Sequence, residues 1–424
     1  MSAGGEIVFW FAAAWLGYVY MGYPICLAIF GIFHRFQGNT AEGYFPQVSV
    51  LISARNEGKD IGWKVRETLD WEYPPDRLEV LVASDSSEDN TDAILSSMQD
   101  PRLRYFRLKQ RQGKNNALNH LFEYAQGEIL FFTDANSHIE RDSLRKLVRH
   151  FADHRVGCVT GSEHTIREGS ELAVVSGTRA FLGYESLVNT LESRLGSVLV
   201  CDGSVFCIRR SLFHRLEPDL ANDFELPIRI ASQGSAILFD HELWSFERAT
   251  CAPDEEFRRK WRICGQGILG FWRLRRCLHG LRAWQFLSRK MLRWLGLIPM
   301  AMLLTSSAFL YDHFFFASAL FLQTIFYALA FVGWWFATRG REASRLITLP
   351  FYFVLVNVAA FKGILDACRG KRFSVWDSPA RSRGLNLEEP QVETKDGVLA
   401  ASALEERSEL TTREYCGDLR AGKS

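Results

Sequence analysis

The chain has 424 residues, 47% of them hydrophobic, and a formal charge of +1. It can bury one large core or two ordinary ones, and it is not a globally basic nucleic-acid binder. Nine cysteines occur without a C-x-x-C pair or a His/Cys spacing suited to zinc, a pattern of reduced, buried residues facing a cytoplasm.

Residues 7–33, "IVFWFAAAWLGYVYMGYPICLAIFGIF", carry no charge and exceed the ~20 residues that a helix needs to cross a bilayer. The run predicts a transmembrane helix. A cleaved signal peptide fits less well, because no Lys or Arg precedes the run and no small-x-small cleavage site follows it. His34 and Arg35 come next and favour a cytoplasmic C-terminal side.

From residue 46 to 255 short apolar runs alternate with helical patterns. Strands are predicted at 48–56, 78–85, 103–108 and 128–134, and helices at 58–71, from Thr91, at 115–125 and at 142–153. The alternation predicts an α/β domain with a parallel, doubly wound sheet covered on both faces. Ligands of such sheets bind at the C-terminal strand ends, where the strand order reverses.

Polar residues gather at those ends. The first strand runs into Ala54-Arg55-Asn56-Glu57, the second into Asp85, and the last into Asp134-Ala135-Asn136. Singly, Asp85 also reads as a cap for the helix at Thr91, Asn56 as a loop residue and Asp134-Ala-Asn136 as a turn. Asp134 and Asn136, one residue apart after a buried strand, suggest a cation site in which a neutral amide replaces one carboxylate. Gly113-Lys114 opens a helix whose N–H groups suit a phosphate, or it is a solvated basic loop.

Residues 256–294 predict a basic interfacial segment. Eleven Lys or Arg and no Asp or Glu lie between Arg258 and Arg293, interleaved with Trp261, Trp272, Trp284 and Trp294. Anionic lipid at a membrane surface accounts for such a stretch better than nucleic acid does. Three further apolar runs, 295–311, 314–337 and 346–361, fall in a membrane region at 295–366 with two or three spans. The last contains Pro350 and Asn357 and is expected to be re-entrant or interfacial. Arg369, Lys371, Arg372, Arg381 and Arg383 point to a cytoplasmic tail, and 379–424 predicts disorder.

As an ordered set, "VSVLISARNE", "VASDSSEDNT", "RQGKNNALN", "ILFFTDAN", "CDGSVFCIRR", "ANDFELPIRIASQG" and "EFRRKWRICGQG" resemble an inverting, membrane-bound bacterial family 2 glycosyltransferase related to polysaccharide synthases. The likeness covers roughly residues 46 to 300 and implies a GT-A fold, Rossmann-like, inserted between transmembrane helices. It implies a hexosyl- or N-acetylhexosaminyl-transferase that uses a nucleoside-diphosphate sugar, most often a UDP-sugar. The acceptor would be a glycan or a lipid-linked molecule in surface polysaccharide or glycolipid synthesis.

By position, Ala54, Arg55 and Glu57 would meet the base and ribose, Asp85 the nucleoside, and Gly113 with Lys114 the diphosphate. Asp134 and Asn136 would hold Mg2+ or Mn2+ against the leaving diphosphate. Asp223 would be the general base, or else a helix N-cap; Asn222 and Glu225 are weaker candidates. Asp202, Arg258, Arg259, Lys260, Trp261 and Arg262 would line the acceptor and diphosphate side. The family context implies a multi-pass inner (plasma) membrane protein with a cytoplasmic catalytic domain, contact with membrane lipids and with export or assembly proteins, and no nucleic acid.

Two departures bear on the product. Asn136 replaces the second acid of D-x-D. The Q-x-x-R-W of processive synthases is here Phe257-Arg258-Arg259-Lys260-Trp261, with no Gln and with Lys for Arg, and Lys lacks the bidentate fork of Arg. Single-sugar transfer to a lipid or polyprenyl phosphate, and a catalytically silent scaffold in an assembly complex, are therefore alternatives to long-chain synthesis.

Overall fold

A computed structural model of the chain describes residues 3–166, 173–248 and 252–373; the tail expected at 379–424 lies outside these residues. Eight strands form one sheet: β1 Val48–Ala54, β2 Leu78–Ser84, β3 Leu103–Arg107, β4 Ile129–Asp134, β5 His138–Ile139, β6 Val156–Ile166, β7 Phe206–Arg209 and β8 Ala236–Arg248. Their order is β3-β2-β1-β4-β7-β6-β8-β5. The first four pair in parallel, with Val48 opposite both Leu78 and Ile129. β7 then runs antiparallel to β4 and β6. The sheet is therefore mixed, and the all-parallel expectation holds only for its first half.

β1, β2 and β4 are buried nearly throughout, which is why they read as unbroken apolar runs. Val50, Ile52, Val80, Val82 and Phe131 face one core, with helices Ile61–Leu69 and Ser143–Val148. Leu51, Leu81, Leu130 and Phe132 face the other, against helix Lys114–Tyr124. Alternate residues thus serve opposite faces, as the period of two requires. The strand order reverses between β1 and β4, and the candidate site opens beside that point.

Among the described residues, three helices are long and apolar enough to cross a membrane: Ala3–Phe33, Phe314–Thr338 and Arg345–Cys368. The last covers the run expected to be re-entrant. Asn357 does not interrupt it, because its amide donates to the Phe353 carbonyl at 2.8 Å, and Pro350 lies near the N-terminal end. The break falls earlier, where Leu281–Trp294 and Leu297–Phe309 meet at 57°.

Helix Pro253–Leu274 ties this apolar bundle to the sheet domain by packing on Arg345–Cys368. The two approach closely at Gly363: a Cβ there would lie 2.4 Å from the Trp261 carbonyl oxygen and 3.1 Å from the Gly265 nitrogen. Backbone cannot yield as a side-chain tip can, so Gly363→Val is expected to cost about 3 kcal/mol. A lowered thermal unfolding midpoint of the detergent-purified chain checks this.

Candidate active site

A single cavity of about 690 Å³ collects most of the polar residues singled out in the sequence. One wall starts with the turns after β1 and β2. Asn56 and Ser86 sit there at φ 53° and 56°, a left-handed conformation that is costly for non-glycine residues and recurs at functional sites. Arg55 holds the two turns together by donating to the Asp85 and Ser86 carbonyls at 2.9 and 2.7 Å and to the Glu88 carboxylate at 3.1 Å. The Asn56 side chain accepts from the Glu88 N–H at 2.8 Å.

Asp85 does not cap the helix at Thr91, whose cap is Asn90; Asp89, one residue earlier, accepts from the Thr91 N–H at 3.0 Å. Instead the Asp85 carboxylate accepts from the Gln112 and Gly113 N–H groups at 2.7 and 2.8 Å. It therefore fixes the start of helix Lys114–Tyr124. Gly113 has φ 87°, open to glycine without a Cβ penalty.

Lys114 then forms an ion pair with Asp134 across the cavity. Burial pulls the Lys114 amine down, but Asp134, aided by Asp223 and Glu247, more than offsets this and holds it above its ordinary value. The Asp134-Ala-Asn136 turn is braced from behind. The fully buried Lys64 donates to the Ser137 carbonyl at 2.6 Å, and the Ser137 hydroxyl donates to the Asp134 carbonyl at 2.9 Å. It is thus both a turn and an oxygen-bearing wall of the cavity.

Opposite stands Asp223, in the first turn of helix Asn222–Ser232 but not at its cap, which is Ala221. Its carboxylate lies against Gly203, where a Cβ would be 3.4 Å from Oδ2. Burial raises the Asp223 carboxyl and Asp134 adds to this, while Lys114, Lys290 and Arg262 oppose it. Asp202 is pushed up to about 7, chiefly by burial and then by Glu163, despite hydrogen bonds from Ser204. Glu225, a weaker candidate, is occupied by Arg229 at 2.8 Å and the Glu217 N–H at 3.0 Å.

Arg259, Lys260 and Arg262 of helix Pro253–Leu274 line the same cavity; Arg258, Trp261 and Ala54 do not. The helical period explains the split: residues 259, 262, 263 and 266 share a face that turns 261 away. The Trp261 indole donates to Asp366 at 2.9 Å and lies under Lys371 at 4.2 Å. Ala54 contributes through its backbone, its carbonyl accepting from the Asp85 N–H at 2.8 Å. Burial and the neighbouring Arg259 pull the Arg262 guanidinium down to about 10, still charged at neutral pH.

Sequence reasoning missed Glu163 and Glu247, which reach the cavity from β6 and β8. Arg259 pairs with Glu163 at 2.9 Å. Glu247 is raised well above the usual carboxylate range by burial, and then by Glu163 and Asp134. Among the described residues no three His, Cys, Asp or Glu side chains converge as a self-sufficient metal cage. The hard oxygen donors of Asp134 and Asn136 nevertheless suit Mg2+ or Mn2+, provided that phosphate and water complete the shell.

Residues 49–216 match the family model "Glycosyl transferase family 2". A beta-monoglucosyldiacylglycerol synthase of Synechocystis is 35% identical over 29% of this chain and 26% of its own length. A poly-beta-1,6-N-acetyl-D-glucosamine synthase of Staphylococcus epidermidis is 24% identical over 54% of this chain and 52% of its own. The chain thus spans about half the length, or less, of the curated relatives it matches. A mannosyltransferase from Pyrobaculum calidifontis, solved with GDP-Man and Mn2+, shares the fold at TM-score 0.63 and 20% identity, covering 83% of this chain and 98% of that one. The matched model makes residues 49–216 a family 2 glycosyltransferase domain, and the solved mannosyltransferase shares its mixed, GT-A-like fold.

Proposed function

We propose that the protein transfers a sugar, with inversion, from a nucleoside-diphosphate sugar, a UDP-sugar foremost, to a lipid-linked or polysaccharide acceptor at the plasma (inner) membrane, with the catalytic domain on the cytoplasmic side. One observation carries the reading: Asp85, Lys114, Asp134 and Asp223 line one cavity whose far wall comes from the apolar helices. The relatives' names, a glycolipid synthase and a polysaccharide synthase, agree with such acceptors.

In this reading Glu57, Arg55 and the loop held by Asp85 receive the nucleoside, and Lys114 faces the diphosphate. Asp134 and Asn136 would hold Mg2+ or Mn2+, which would supply positive charge against the departing diphosphate. Asp223 takes the proton of the acceptor hydroxyl as its oxygen attacks the anomeric carbon. Arg259 and Arg262 supply positive charge beside the leaving group.

The test is to incubate the full chain in nanodiscs with a panel of UDP- and GDP-sugars and Mn2+. Donor-dependent transfer supports the reading. If no nucleotide binds and none is hydrolysed, the scaffold alternative replaces it. Because an amide oxygen lowers the charge of the cation site without removing a ligand, Asn136→Asp is expected to tighten Mn2+-dependent donor binding about tenfold, roughly 1.4 kcal/mol, by isothermal titration. An unchanged metal requirement would leave Asp134 as the sole holder.

A further inference from the structure

The cavity does not end at the carboxylates. Beyond Asp223 its walls are Phe181, Leu349, Phe353, Val356 and Ala360, from helices Ala173–Ser193 and Arg345–Cys368. Set into these apolar walls are Arg289, Lys290, Arg293 and Glu185. Arg289 donates to Glu192 at 2.6 Å and to Glu185 at 2.7 Å, and Arg293 donates to Glu185. Glu185 is thus already shared when Lys290 reaches it, at 3.9 Å. Three cations face two carboxylates, and the surplus positive charge rests on Lys290.

Lys290 sits in the π-helical turn Leu287–Met291, just before the 57° bend. Such turns recur where a helix is reshaped for function. A cation with so little compensation beside apolar walls is costly unless an anion joins it. The long apolar wall calls for acyl or prenyl chains, and Lys290 calls for a phosphate. Lys290 and Asp223 line the same cavity, so a phosphate held by Lys290 shares that space with the group that reacts at Asp223. A base is useful only if the nucleophile carries a proton.

We infer that this half of the cavity binds the acceptor, a membrane lipid whose headgroup carries a phosphate and, beyond it, a free hydroxyl. The inference rests on the function proposed above and names its acceptor class. The hydroxyl oxygen bonds to the anomeric carbon, the bond from that carbon to the diphosphate breaks with its electron pair leaving on the diphosphate, and the hydroxyl proton passes to Asp223. Two sources share this chemistry: a glycerophospholipid with a polyol headgroup, and a polyprenyl-diphosphate-linked sugar.

Native mass spectrometry of the detergent-purified full chain tests it with three probes: dioctanoyl-phosphatidylglycerol, a short-chain polyprenyl-diphosphate N-acetylglucosamine, and uncharged dioctanoylglycerol. At least one anionic probe is expected to bind about tenfold more tightly than dioctanoylglycerol, the scale of one charged hydrogen bond. The preferred probe identifies the source. Lys290→Gln should abolish the preference and Lys290→Arg retain it. Equal binding of dioctanoylglycerol, or a preference that survives Lys290→Gln, overturns the inference. UDP binding is titrated in each sample to recognise misfolded variants. Its absence from the wild-type chain counts against the proposed function, whereas UDP binding without anionic preference counts against this inference alone.

Discussion

Asp223→Asn is expected to slow sugar transfer roughly a thousandfold while leaving donor affinity within about twofold, because it removes a proton acceptor and preserves shape. Steady-state kcat and a separate UDP titration check the two halves. The pH profile carries an independent signature. A base works only when ionised, so kcat/KM falls as pH drops through its folded pKa. Burial raises that pKa, and Asp134 adds to it against the pull of Lys114, which moves the acid limb above the ~3.9 of a free Asp. Burial pushes nearby Asp202 up to about 7, so a second, upper bend is expected in the wild-type profile as Asp202 gains its charge. Asp202→Asn should remove the upper bend. A single limb near pH 4 in the wild type would mean that Asp223 is not the base.

Glu192→Ala is expected to be the most damaging single change to stability, about 3–5 kcal/mol, the cost of breaking a buried ion pair from one side. Glu192 is fully buried. It accepts from Arg289 at 2.6 Å, from the Leu199 N–H at 3.0 Å and from the Tyr23 hydroxyl. One carboxylate thus joins the N-terminal apolar helix, the sheet domain and the segment before the bend. The check is thermal unfolding in detergent: a lost transition or a large drop in midpoint is expected, with Glu192→Gln intermediate because it keeps a hydrogen-bonding oxygen. A midpoint unchanged in Glu192→Ala would show that Glu185 alone suffices for Arg289.

The first half of the sheet was legible because β1, β2 and β4 are buried on both faces and end in polar turns. The second half was not, since β6 and β8 are long, bulged strands whose register shifts between Thr160 and Ser162. Glu163 and Glu247 were missed for that reason: within a strand, an acid reads as solvent-facing. Lys64 likewise reads as the wet side of an amphipathic helix, yet it is fully buried beneath the Asp134 turn. Of the five residues that the family pattern named on helix Pro253–Leu274, the helix phase presents Arg259, Lys260 and Arg262 to the cavity and turns Arg258 and Trp261 away. Asp85, Lys114, Asp134 and Asp223 were each singled out at a strand end or helix start, where an α/β fold delivers side chains to ligands.

Under the proposed function, the ion pair between Lys114 and Asp134 governs the order in which ligands arrive. In the ligand-free cavity each of these residues satisfies the other. A cation entering alone must pull Asp134 away and leave Lys114 uncompensated; a donor entering alone faces the mirror-image cost. Arriving together, the diphosphate takes over Lys114 and the cation takes over Asp134, and one broken contact serves both events. Each ligand therefore favours the other, and by the same factor in both directions. In that reading, an internal contact that looks merely structural disfavours free metal and favours the metal–donor complex.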